Sequence, residues 1–182
     1  ATLENLIVYP HGAAARRPGS TFLAEVANSA NKTRLIPFEF STTQTYMLEF
    51  SNLKMRVYKD SGSVLEGDKT ISAITKANPA VVTANSHGYS NGDEVVITAV
   101  GGMTEVNGKR FLVADKTTNT FELQDKDGVD INSSSFTTYT SGGVSNKVFE
   151  LATPYTTAQL FDIKFAQSAD VMYITHPAHE VE

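Results

Sequence analysis

The sequence predicts an all-β fold in two units, and three features carry that prediction. Apolar and polar residues alternate with period two through residues 46–57, the pattern of strands with one buried face. β-Branched and aromatic runs recur along the chain between Gly, Asn, Asp and Pro, which is the punctuation of strands and turns. The middle of the chain has its own strand-turn-strand pattern and is flanked by polar, Gly-containing stretches, as an insertion into a surface loop would be. The predicted organisation is a discontinuous strand-rich base, residues 1–69 and 148–182, with a small β-barrel inserted at 70–147.

The elements follow in order. Leu3 to Tyr9 reads as a strand, and after Arg16-Arg17-Pro18-Gly19 the apolar residues resume at Phe22, Leu23 and Val26, which predicts a hairpin with a long connection. Leu35 to Phe40 is a strand whose Pro37 marks an edge or a bulge, because proline has no N–H for a central ladder. Tyr46, Leu48 and Phe50, then Leu53, Met55 and Val57, flank Ser51-Asn52 and form the clearest hairpin. In the middle unit, Val81-Val82 and Val95 to Val100 are strands. His87-Gly88 and Asn91-Gly92 supply the positive-φ positions between them. Phe111 to Ala114 and Thr120 to Gln124 are strands joined by a hairpin loop, Asp127-Gly128 turns the chain, and Tyr139 to Gly143 is read as the way out of the barrel. Val148 to Leu151 and Asp170 to Thr175 are strands, with a short helix predicted between them at 156–165, capped by Thr156 or Thr157.

Composition narrows the chemistry. The chain has 182 residues, 41% of them hydrophobic and 9% aromatic, the profile of a folded protein. It contains no cysteine, which excludes disulfides, thiolate zinc sites and cysteine nucleophiles. No charged-then-apolar leader follows Ala1 and no run of about 18 apolar residues occurs, so a soluble chain without membrane insertion is expected. The net charge of −5 is unevenly placed: residues 1–69 carry eight Lys/Arg and seven Asp/Glu, 70–147 six and eight, and 148–182 one and five. No basic stripe tracks a phosphate backbone. Weak acidity instead suits a wall past which DNA slides without being held.

Site-like constellations are few. His176-Pro177-Ala178-His179 has imidazoles at a ligand-like spacing, but Pro177 spoils the helix that would aim both rings one way. Asp125 to Asp130 has the acids of a calcium loop with its glycine at the fourth place instead of the sixth, so an Asp-Gly hairpin turn is the reading. His87 beside Ser86 and Asp93 lacks a nucleophile motif and is read as a turn residue. Glu39, Glu49, Asp93 and Glu94 are read as solvated, since neighbours on a strand face opposite ways. Gly101-Gly102-Met103 is too short to cradle a phosphate. No catalytic, cofactor-binding or metal residue is predicted. The polar feature that stands out is Arg16-Arg17 on the turn before Pro18-Gly19, where two guanidiniums could grip carboxylates of a neighbouring subunit or touch DNA phosphate.

The stretch from Pro79 to Thr98, with His87-Gly88-Tyr89 and Asn91-Gly92-Asp93 between its strands, resembles the small β-barrel insert of ubiquitin-activating enzymes named after the first catalytic cysteine half-domain. It is also similar to copies of that module in bacteriophage tail proteins. The flanks carry a second resemblance. Pro10-His11-Gly12, Arg16-Arg17-Pro18-Gly19, Leu35 to Phe40, Arg56-Val57-Tyr58 and Gln167 to Pro177 look like the N-terminal part of tail hub or nozzle proteins of short-tailed bacteriophages. That resemblance implies the start of a propeller-like fold, a non-enzymatic virion component, a ring of copies in contact with other tail proteins, and a DNA passage at the centre. From another class, the alternative is a non-catalytic binding module that recognises a cell-surface glycan or protein.

Overall fold

The computed structural model describes residues 6–17, 19, 22–41 and 44–181. Leu3, Glu4 and Asn5 of the first expected strand, and Pro18 of the arginine turn, lie outside them. The described residues form an all-β protein. Its strands are β1 Leu6–Val8, β2 Ala14–Arg16, β3 Arg34–Ser41, β4 Gln44–Ser51, β5 Lys54–Lys59, β6 Gly62–Ser63, β7 Lys69–Thr70, β8 Ala73–Ile74, β9 Val81–Thr83, β10 Glu94–Gly101, β11 Lys109–Ala114, β12 Thr120–Gln124, β13 Ser141–Lys147, β14 Glu150–Ala152, β15 Lys164–Ser168 and β16 Val171–Thr175. A 3₁₀ turn at Thr104–Val106 follows β10.

Seven strands make one antiparallel sheet in the order β7-β13-β10-β11-β12-β9-β8. Its two ends are adjacent in the chain, separated by Ile71 and Ser72. The Ile71 N–H donates to Gly143 O of β13, while the Ser72 N–H donates to Thr83 O of β9. Two successive amides thus bridge the ends, and the sheet curls on itself like a barrel. Its interior is apolar: Val82, Val95, Ile97, Met103, Val106, Phe121 and Leu123 are inaccessible to solvent. The turn glycines expected at 88 and 92 have φ of 74° and 87°. The β11–β12 hairpin and the Asp-Gly turn form as read, with Asp125 Oδ1 accepting from the N–H groups of Asp127 and Val129.

The segment Tyr139 to Gly143 departs from expectation. It leads into β13, which lies between β7 and β10 in the middle of the sheet. The glycines there mark a close strand approach and not a loop: a Cβ on Gly143 would sit 2.6 Å from Val100 Cγ2.

The second sheet runs β14-β5-β4-β3, with β6 paired to β5. β3 is its edge, and Pro37 sits there opposite Met47, with a register shift between Glu39 and Ser41. One face presents Ile36, Leu48 and Phe50 to a core completed by Tyr155, Leu160 and Ile163, and Met172 and Ile174 of β16 pack onto it.

Two further expectations are corrected in this region. The strand at Leu6–Val8 pairs with β2 and not with residues 22–26, because Pro10-His11-Gly12 is itself a tight turn with Gly12 at φ 89°. Phe22 is left exposed. In place of the helix expected at 156–165, residues 157–162 form successive turns and Lys164 begins β15, with Gln159 N–H donating to Thr156 O and Asp162 N–H to Gln159 O. The carbonyls of Leu160 and Ile163 are taken by Arg34 Nη1 at 2.9 and 2.8 Å, and a segment this short has little helical stability of its own to oppose this.

Candidate functional site

Two places carry chemistry beyond packing: a buried ion cluster where the sheets meet, and a pair of exposed apolar hairpins. The cluster arises from the alternation of β4 and β5. With Leu48, Phe50, Met55 and Val57 turned to the apolar core, Glu49, Arg56 and Tyr58 must face the other way. Glu49 and Arg56 are direct cross-strand partners, and Glu150 of β14 lies opposite Arg56 on its other side.

This polar face is covered by the outer surface of the barrel. Glu94 of β10, its side chain wholly buried, receives Arg56 Nη2 at 2.8 Å, Arg110 Nη1 at 3.1 Å and Lys126 Nζ at 2.5 Å. Arg56 also binds Glu150 through Nε and Nη2 at 2.8 and 2.5 Å, and Lys54 Nζ reaches the second Glu150 oxygen at 2.6 Å. Arg110 Nη2 donates to Ser63 Oγ, and Tyr58 Oη donates to Glu49 Oε2. The Glu49 and Glu94 expectations are thereby corrected: both carboxylates are buried. The face that would be solvated on an isolated hairpin or barrel is closed here by the other sheet.

Burial by itself would raise the Glu94 carboxyl pKa, but the Lys126 hydrogen bond and the charge of Arg56 outweigh it and hold the group below the usual carboxylate range. Glu150 behaves alike: burial opposes, while Lys54 and Arg56 prevail and lower it. Burial and the hydrogen bond to Glu49 push Tyr58 up to about 12. Ionised carboxylates locked among cations are unsuited to proton transfer. The arrangement clamps two sheets together, because an uncompensated charge left by breaking a buried pair costs about 3–5 kcal/mol.

Arg16 and Arg17 are exposed at the end of β2, Arg16 opposite Leu6. The structure does not bring them near the ion cluster's hydrogen bonds or ion pairs. Their hairpin exposes Leu6, Ile7, Val8 and Tyr9, and the β15–β16 hairpin exposes Phe165, Val171 and Tyr173. His87 is a turn residue whose ring enters the barrel core: Nδ1 accepts from the Tyr89 N–H at 3.0 Å, and the ring meets Phe121 edge-on at 5.1 Å. His176 and His179 close a tight turn, their rings 5.1 Å apart, with His179 Nε2 at 3.1 Å from Gln159 Oε1. Glu39 is exposed, and Asp93 lies 3.3 Å from Lys147 Nζ.

A cleft of about 360 Å³ opens on the barrel between Lys109, Asp125, Asp127 and Phe136. Its aromatic members, Phe111 and Phe136, pack with the barrel interior.

Residues 77–148 match the ubiquitin-activating enzyme E1 FCCH domain. The match begins after β8 and ends just past β13, so the FCCH-like segment accounts for most of the curled sheet and includes Glu94, Arg110 and Lys126. Arg56 and Glu150, the partners across the seam, lie outside it. The match covers less than half of the chain. No curated protein matches the chain.

The cluster itself was missed in the sequence. One signal for it was present: the turn at Asn52 places Glu49 and Arg56 at cross-strand positions, as opposite charges on the face away from Leu48 and Phe50.

Proposed function

We propose that the protein is a non-enzymatic structural component of a bacteriophage tail, of the hub or nozzle type, in which copies assemble around the DNA passage and contact other tail proteins. The observation that carries this reading is the pair of two-stranded hairpins with outward apolar side chains. Leu6, Ile7, Val8 and Tyr9 on one, and Val171 and Tyr173 on the other, are all at least 39% exposed. β1 and β2 pair only with each other among the described strands, an isolated hairpin is marginal in water, and exposed apolar groups grouped on hairpins mark contact surfaces. The resemblance of the flanks to tail hub and nozzle proteins supports the same reading, and the FCCH-like segment is compatible with it as a carried module.

The acidic balance suits a passage, since few cations would retain the phosphates of moving DNA. Arg16 and Arg17, exposed on the β1–β2 hairpin, are the residues assigned to subunit contacts. The test is the double variant Arg16→Ala and Arg17→Ala, examined by electron microscopy of particles and by infectivity. The isolated chain should stay folded, with stability changed by about 0.5 kcal/mol or less, while particles lose tails or deliver DNA poorly. Normal yields of infectious particles from the double variant would remove the arginines from the interface, and native particles without the protein in their tails would remove the reading.

A further inference from the structure

We propose that the two apolar hairpins are the halves of one contact, β1–β2 of one copy seating on β15–β16 of the next. This rests on the ring reading above and adds to it the identity of the surfaces. The β15–β16 register pairs Phe165 with Ile174, Gln167 with Met172, and Ala166 with Tyr173. Its inner face is committed: Met172 and Ile174 pack onto the base core, Phe165 lies under the Arg34 guanidinium, and Gln167 bonds the Glu39 backbone. Its outer face presents Ala166, Val171 and Tyr173 with Lys164 and Ser168 beside them, all exposed.

On β1–β2 the register places Leu6, Val8, Ala14 and Arg16 together on one face, all exposed. Both hairpins therefore offer a short apolar strip of similar length.

Charge distinguishes them. Residues 6–17 include Arg16 and Arg17 and no carboxylate, and neither arginine has an ion pair among the described residues. Around β15–β16, Asp162, Asp170 and Glu180 are exposed, against exposed Lys164; the Arg34 guanidinium lies over Phe165 on the inner face and bonds the Leu160 and Ile163 carbonyls. Pairing either hairpin with its own copy would oppose like charges; pairing one with the other joins arginines to carboxylates beside matched apolar strips. Such a contact uses two different surfaces of the same chain, so it propagates head to tail and generates a ring where the rotation closes.

Because the chain has no cysteine, disulfide trapping reads the contact directly. One preparation carries Val8→Cys and a mass tag, the other Tyr173→Cys; they are mixed under mild oxidation and resolved without reductant. Mixed dimers should form about tenfold faster than either homodimer. Arg16→Glu with Arg17→Glu in the first chain should abolish that preference, and Asp170→Arg in the second should restore it. Should either cysteine variant fail to keep the native circular dichroism spectrum, Ala14→Cys and Ala166→Cys report on the same faces. Mixed dimers no faster than homodimers, or a rate indifferent to the charge reversals, would overturn the pairing. If that happens while microscopy of native particles shows a ring of this chain, the pairing alone fails; if the particles hold no such ring, the tail reading fails with it.

Discussion

Arg56 and Glu94 meet at 2.8 Å across the seam between the two sheets, with side chains 4% and 0% exposed. Each belongs to a different sheet and each is the other's buried counter-charge. The seam is thus held by charges that lose their compensation if either partner is removed, although Arg56 Nη1 has no hydrogen-bond partner among the described residues.

Substituting Arg56 by Met should destabilise the protein by about 3–5 kcal/mol, because Glu94 and Glu150 would remain buried with fewer cations. Replacing exposed Lys32 by Met should change stability by about 0.5 kcal/mol or less. Urea unfolding of the two variants measures the contrast, and similar midpoints would show that the seam is not under electrostatic control.

Acid should loosen the same cluster. Glu94 and Glu150 have folded-state pKa values below their ordinary ones, so the unfolded chain binds more protons as pH falls below the ordinary carboxylate range. Their stabilisation is complete above that range and is lost as pH drops through the folded values. Thermal midpoints should therefore fall below about pH 4.5, and the fall should be shallower in Glu94→Gln, which cannot titrate there. Tyr58 works in the opposite direction. With its pKa raised to about 12, its contribution is complete below about pH 10 and declines as pH rises towards the folded value. The stability difference between the wild type and Tyr58→Phe should change across that interval; a constant difference would dissociate Tyr58 from the cluster.

Gly102 should tolerate substitution far less than Gly92. Both have positive φ, but a Cβ on Gly102 would lie 2.1 Å from Thr138 O, whereas one on Gly92 meets nothing within 4 Å. Gly92→Ala should cost about 1–2 kcal/mol from backbone strain alone. Gly102→Ala should cost more, since the backbone at Thr138 to Thr140 must move, and denaturant midpoints will rank the two.

His87→Ala should destabilise the barrel by about 2–4 kcal/mol, through a cavity beside Phe121 and an unpaired Tyr89 N–H. His87→Phe fills the cavity and leaves the amide unpaired, so it should recover only part of the loss. Full recovery would show that the Nδ1 hydrogen bond contributes nothing.

The strands of the middle unit were legible because turn chemistry marks them: Gly88 and Gly92 sit at positive φ between the runs that became β9 and β10, and Gly128 at the turn after β12. Pro37 likewise marked an edge strand. Glu94 was not legible, since a charged residue on the outer face of a barrel looks solvated until another sheet covers it. The turns at 157–162 were hidden for a similar reason. Leu160 and Ile163 have helical spacing, and only the distant Arg34, by taking their carbonyls, decides otherwise. Gly142-Gly143 read as a loop because close approach to Val100 leaves no local trace.

The two ends of the stretch that holds the curled sheet run side by side. Leu65 bridges Val148, Glu66 N–H donates to Lys147 O, and Phe149 N–H donates to Val64 O. A splice from Leu65 to Val148 would therefore join neighbouring backbones, and chain connectivity sets no obstacle to exchanging the intervening stretch. The constraint on a replacement is chemical: it must offer a carboxylate where Glu94 meets Arg56.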